Sequence, residues 1–289
     1  MRHAVVRTLS WEGTLQHVWD YAPTSDTGVP RPTIVMVHGF RGDHHGLLRL
    51  VEELPNHRVL LPDLPGFGSG QELQGRHDVA AYARFITDCA LMLAPAPRVL
   101  LGHSFGSIIA AEAAALHPEL ARLLLLVNPI SAPALEGPSR IASRLAEAYY
   151  VAADRLPDAA GRALLANPVI VRGMSIFMAK TKNPALRRWI HGQHAAYFSV
   201  FASRRVVLEA FRASISGTVR DRARDLQLPT LLIAAELDDI GSVASQRRLA
   251  ALLPDATLEI LPDVGHLVHY EKPREAARLI ENFLELHAT

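Results

Sequence analysis

The stretch Arg98-Val-Leu-Leu-Gly102-His103-Ser104-Phe105-Gly106-Ser-Ile-Ile-Ala-Ala111 decides the fold. It opens as a short apolar strand, closes as an Ala-rich helix, and turns between them at a serine flanked by two glycines. A Gly-x-Ser-x-Gly pentapeptide alone arises by chance in a chain this long roughly one time in ten. The strand–turn–helix context makes it specific. Glycines permit a tight turn, the serine hydroxyl is left at the carboxyl edge of a sheet, and the first-turn amides of the helix face it.

Outward from this turn, apolar runs bounded by Gly, Pro or polar clusters predict strands at Ala4–Leu9, Leu15–Tyr21, Thr33–His38, Arg58–Leu61, Arg98–Gly102, Leu123–Val127, Thr230–Ala235 and Thr257–Leu261. Helical patterns fall between them at Leu47–Leu54, Val79–Leu93, Phe105–His117, Ser245–Leu253 and Pro273–His287. The alternation predicts a doubly wound, mostly parallel α/β sheet, its inner strands continuous and apolar because helices cover both faces. The first two strands, joined by Trp11-Glu12-Gly13-Thr14, read as an antiparallel edge hairpin. The alternation breaks between Pro129 and Gly217, where the chain looks helical, with breaks at Pro133, Pro138, Pro157, Pro168 and Pro184. This stretch holds 8 of the 18 aromatic residues and reads as an inserted helical lid.

A serine hydroxyl needs a base. His266, in Asp263-Val-Gly-His266, follows a strand and turn, whereas His269 lies later in the same loop. The base needs an orienting acid, and Asp238 stands a few residues beyond the strand Thr230–Ala235, with Glu236 and Asp239 as neighbouring decoys. The preceding strand ends in Asn128-Pro129, which offers no carboxylate. The order Ser104, Asp238, His266 is thus Ser…Asp…His. Oxyanion donors are expected from the Phe40 amide, in the turn His38-Gly39-Phe40-Arg41, and from the Phe105 amide.

With these residues in hand, the chain resembles the α/β-hydrolase superfamily, in its capped, epoxide-hydrolase-like and esterase-like group. The marks are His38-Gly39, Asp63-Leu-Pro-Gly66-Phe-Gly68-Ser69, the turn at Ser104, Asp238 and Gly265-His266. The resemblance implies an eight-stranded core at 1–131 and 217–289, with a helical cap at 132–216. Epoxide hydrolases and haloalkane dehalogenases carry Asp where this chain has Ser104, so the resemblance implies acyl chemistry. A carboxylic ester is the favoured substrate. A C–C bond hydrolase, an acyltransferase or cyclase, and a non-catalytic ligand-binding relative are the alternatives. Expected pocket residues are His38, Gly39, His103, Met174, Phe177, Met178 and Leu267.

Composition narrows the rest. The net charge of +1 sums a +7 stretch from Ile130 to Ile215 and a −6 remainder. Lysine occurs only at 180, 182 and 272, leaving few candidates for Schiff-base or phosphate-loop chemistry. A single Cys89 excludes an intramolecular disulfide and a cysteine zinc site. Gly66-Phe-Gly68-Ser-Gly70 has the wrong spacing for a dinucleotide loop, since Gln71 takes the third glycine position. No metal motif accompanies Asp43-His44-His45 or the pair His191 and His194, so no metal and no cofactor are expected. Arg187, Arg188, Arg204 and Arg205, interleaved with Trp189, Phe198 and Phe201, read first as a solvated face, with an anionic substrate or membrane surface as the sharper reading. No secretion signal, membrane span or nucleic-acid motif is evident, so the expectation is a cytoplasmic enzyme acting on a small acyl substrate, without stable membrane insertion.

Overall fold

Continuous apolar runs become the inner strands of a single sheet. The computed structural model describes residues 2–24, 31–134 and 140–288. Its strands are β1 (Ala4–Trp11), β2 (Thr14–Tyr21), β3 (Thr33–Val37), β4 (Val59–Pro62), β5 (Arg98–His103), β6 (Leu123–Val127), β7 (Thr230–Ala235) and β8 (Ala256–Leu261). They lie in the order β1-β2-β4-β3-β5-β6-β7-β8, with the β1–β2 hairpin antiparallel at one edge and parallel pairing from β4 to β8. The hairpin needs only Glu12 and Gly13 to turn, both at positive φ (45° and 75°), and the strands run to Trp11 and Thr14. That twist matches the strands it joins.

Alternate residues of each strand feed two cores. Val35, Val37, Leu100 and Leu124 pack with α2 (Val79–Leu93) and α3 (Phe105–Leu116), while Ile34, Met36, Leu101 and Leu125 pack with α1 (Leu48–Glu52) and α11 (Pro273–Leu286). Both faces are therefore dry, as the apolar runs predict.

Among the described residues, five α-helices lie between β6 and β7, followed by a 3-10 turn at Val219–Arg222: α4 (Arg140–Arg155), α5 (Asp158–Leu165), α6 (Pro168–Met178), α7 (Pro184–Tyr197) and α8 (Arg204–Ser216). Three of the prolines read as breaks are helix starts here. Pro157 is the N-cap of α5, and Pro168 and Pro184 open α6 and α7 behind the capping side chains of Asn167 and Asn183. Pro138, and part of the stretch expected at 132–216, fall in 135–139, outside the described residues.

Two helices depart from expectation. The pattern at Leu47–Leu54 resolves into a 3-10 turn at His44–Leu47 followed by α1. Asp43 caps the earlier start by accepting from the His45 amide, and Pro55 keeps Leu54 out of the helix. The helix expected at Ser245–Leu253 is α9 (Val243–Ala250), because Ser242 accepts from the Ser245 amide and sets the start.

Candidate active site

The turn between β5 and α3 holds Ser104 at φ 54°, ψ −120°, a strained conformation for a residue with a Cβ. Two glycines let the backbones approach closely enough to impose it. A Cβ on Gly102 would lie 2.3 Å from the Gly106 carbonyl oxygen, and one on Gly106 would lie 2.2 Å from that of Val37. Ser104 thereby sits at the carboxyl edge of the sheet, half-buried, at the start of α3.

Ser104, His266 and Asp238 come together from three separate loops. His266 Nε2 lies 2.7 Å from Ser104 Oγ, and its Nδ1 lies 2.9 Å from Asp238 Oδ2. An ionised carboxylate only accepts, so Nδ1 carries the ring proton and Nε2 is the acceptor of the serine hydroxyl. Burial pushes the Asp238 carboxyl up, but the facing His266 and hydrogen bonds from His266, the Ile240 amide and the Asn128 side chain outweigh it, holding it at about 2. The bonds from Asn128 Nδ2 and the Ile240 amide are 2.9 and 2.8 Å. Asn128 counted in the sequence only as a missing acid; its amide in fact grips the acid that β7 supplies.

The neighbouring carboxylates and histidines fall elsewhere. Asp239 pairs with Lys180, and Glu236 accepts from the Asp263 amide. His269, on the short helix α10 (Val268–Glu271), packs its ring 4.0 Å from that of His103.

The turn expected to supply an oxyanion donor lies against Ser104. A Cβ on Gly39 would be 3.3 Å from Ser104 Cβ, so the His38–Phe40 backbone passes beside the hydroxyl. His38 is wholly buried: it accepts the Leu64 amide at Nε2 and donates from Nδ1 to the Gly39 carbonyl, bracing the turn from within. Phe105 opens α3, and its amide is one of the first-turn donors that a helix leaves without an internal partner.

Next in the same turn, Arg41 has φ 57° and is 1% exposed, with no carboxylate partner among the described residues. Its guanidinium donates to the Leu165 and Phe198 carbonyls, at the C-terminal ends of α5 and α7, and lies 4.5 Å from the Phe198 ring. Helix C-termini carry partial negative charge. Arg41 thus ties two inserted helices to the His38–Phe40 turn, a role the sequence did not disclose.

Against His266 lies a narrow crevice, too tight to hold a water molecule, lined by Phe177, Met178, Lys180, Asp239 and Ile240. It includes Phe177 and Met178 of the expected pocket residues. Leu267 packs instead with Ile190 and Tyr270, and His103 is buried with Nε2 3.2 Å from the His266 carbonyl. Met174 is half-buried on α6. A roomier recess, lined by Asp78, Glu112, Thr218 and Arg222, carries none of these groups.

Asp43, His44 and His45 place ligand-type atoms within 4.8 Å of one another. Hydrogen bonds already engage them: His44 Nδ1 bonds buried Asp63 at 2.9 Å, and His45 Nδ1 bonds Asp43 at 3.2 Å. Asp63 also accepts from Ser69, so the cluster knits the loops after β3 and β4 together.

Comparison with known proteins agrees with the fold. The model of the alpha/beta hydrolase family matches residues 34–279. The chain is 29% identical over 261 residues to a pimeloyl-[acyl-carrier protein] methyl ester esterase of Chromobacterium violaceum, covering 89% of this chain and 96% of that one. It is 25% identical over 293 residues to a putative 2-succinyl-6-hydroxy-2,4-cyclohexadiene-1-carboxylate synthase of Bacillus subtilis, covering 91% and 94%. Among solved structures, the enol-lactonase from Burkholderia xenovorans superposes with a TM-score of 0.77 at 19% identity, covering 96% of this chain and 100% of the other.

Proposed function

The chain belongs to the alpha/beta hydrolase family, and from that premise we propose that it is a serine hydrolase cleaving a carboxylic ester. The observation that carries this reading is the unbroken hydrogen-bonded series Ser104–His266–Asp238. As the Ser104 oxygen bonds to the ester carbonyl carbon, its proton passes to His266 Nε2, and Asp238 stabilises the imidazolium. The carbonyl electrons collect on an oxyanion held by the Phe40 and Phe105 amides. Collapse breaks the bond to the alcohol, which leaves with the proton from His266. Water then gives a proton to His266, attacks the acyl-enzyme and releases the acid and Ser104. Neither a metal nor an organic cofactor enters any of these steps.

Residues 132–216 act as the cap in this reading, supported by Phe177 and Met178 standing over His266 and by the Arg41 tie. The similarity to a methyl ester esterase supports an ester as substrate. A family that also includes a synthase leaves the acyl and alcohol groups to be set by the pocket. A fluorophosphonate probe should label the protein at Ser104, and Ser104→Ala should abolish both labelling and cleavage of short p-nitrophenyl esters. A folded wild-type protein that neither labels nor cleaves would overturn the reading.

A further inference from the structure

Helix α6 is apolar on both sides, yet only one side is covered. Val171 and Ser175 are buried inward, while Val169, Arg172, Gly173 and Ile176, spaced as one helical face, point to solvent. Val169 is 77% exposed and Ile176 57%. Phe177, 55% exposed, extends this face to the crevice against His266. Trp189, on the neighbouring α7, is 38% exposed. A solvated helix ordinarily keeps such residues inside.

Along the inserted helices the charge is of one sign, and the acids that approach from elsewhere, Asp239 and Glu271, are engaged by the Lys180 side chain and the Lys180 amide. Between Asp158 and Glu209 no side chain is acidic. Arg172, Lys182, Arg187 and Arg188, on α6, α7 and their connection, are all exposed, and no ion pair engages them among the described residues. Exposed aliphatic residues beside an indole and unpaired cations are the composition of a surface that rests in the headgroup region of a membrane. Two copies meeting face to face through these helices would bring the same cations together. Among the described residues no helix is long and apolar enough to cross a membrane, so contact would be peripheral.

We propose that the outer face of α6 and α7 docks on an anionic phospholipid bilayer, with Val169 and Ile176 entering the interface and Arg172, Lys182, Arg187 and Arg188 meeting the headgroups. The proposal concerns binding and stands whether or not Ser104 cleaves esters.

The test is flotation with vesicles of phosphatidylcholine alone and of phosphatidylcholine mixed with phosphatidylglycerol. The wild-type protein should float with the mixed vesicles and be released by high salt. The pair Arg187→Glu/Arg188→Glu should weaken binding about tenfold or more, and Val169→Ser/Ile176→Ser should also weaken it. All four positions are exposed, so thermal unfolding of both variants should match the wild type. Equal recovery with both vesicle types, or variants that float like the wild type, would overturn the proposal. So would a dimer that Val169→Ser/Ile176→Ser converts to monomer while neither protein floats, since a second copy would then cover the face.

Discussion

Asp238 stays charged while buried because three donors surround it, and one of them is Asn128. Asn128 adopts φ 47°, a conformation tolerated by Asn, which turns its amide toward the acid loop of the adjacent strand. Ser104, Asp238 and His266 stood out in the sequence because a serine, an acid and a histidine that each follow a strand make a recognisable order. The sequence showed Asn128 only as a missing acid, since nothing local reveals that β6 and β7 are neighbours whose ends touch. Asn128→Gly keeps the backbone conformation accessible and removes the amide. A hydrogen bond to a charged group is worth about 1.5–3 kcal/mol, so kcat on a short ester should fall about tenfold or more with KM nearly unchanged. A change confined to KM would show that Asn128 contacts substrate instead of orienting Asp238.

At the scale of elements, the sharp turn from β5 to α3 depends on backbone packed on backbone. Gly106 presses against the Val37 and His38 carbonyls of β3 and its following turn, so α3 sits closer to the sheet than any side chain would allow. Gly106→Ala puts a methyl group where those carbonyls stand. Overpacking typically costs about 1–3 kcal/mol, and rigid backbone on both sides places this site at the upper end. The urea midpoint should drop, and fluorophosphonate labelling of Ser104 should slow because the His38–Phe40 turn is displaced with it. An unchanged midpoint would mean that α3 can withdraw at little cost. The parallel strands were legible because burial on both faces demands uninterrupted apolar runs. The inserted helices were legible only as an irregular interval: α4 to α8 bury parts of their surfaces against one another and the core, which blurs any single periodicity. Even there, Pro157, Pro168 and Pro184 marked true boundaries, although each stands at a helix start.

At the scale of the whole molecule, the 14 histidines take on a meaning that composition could not supply. Several are enclosed where the sheet edge meets the inserted helices. Burial, reinforced by the charge of His266, holds His103 down to about 3, and burial with the neighbouring His191 holds His194 down to about 4. His38 and His269 are shifted in the same direction by burial. Spacing hinted at none of this, because His103 and His269 meet edge to face only once the β5 and β8 loops converge. The sign follows from where protons bind. Below about pH 6.5 the unfolded chain protonates these rings while the native rings stay neutral. Stability is therefore full above that pH and declines as the pH falls toward the folded values. Each such ring costs about 1.4 kcal/mol per pH unit, so His103 and His194 together remove about 5 kcal/mol between pH 6.5 and 4.5, comparable to a marginal domain's whole stability. Asp238, held at about 2, adds no loss in this window, because its contribution declines only as the pH drops from about 4 through 2. Urea unfolding at pH 6.5, 5.5 and 4.5 should show this decline, and His103→Asn/His194→Asn should flatten it even if the variant starts less stable. A wild-type stability that is level across the window would mean that these rings accept protons in the folded protein, and that the junction between sheet and inserted helices opens readily to water.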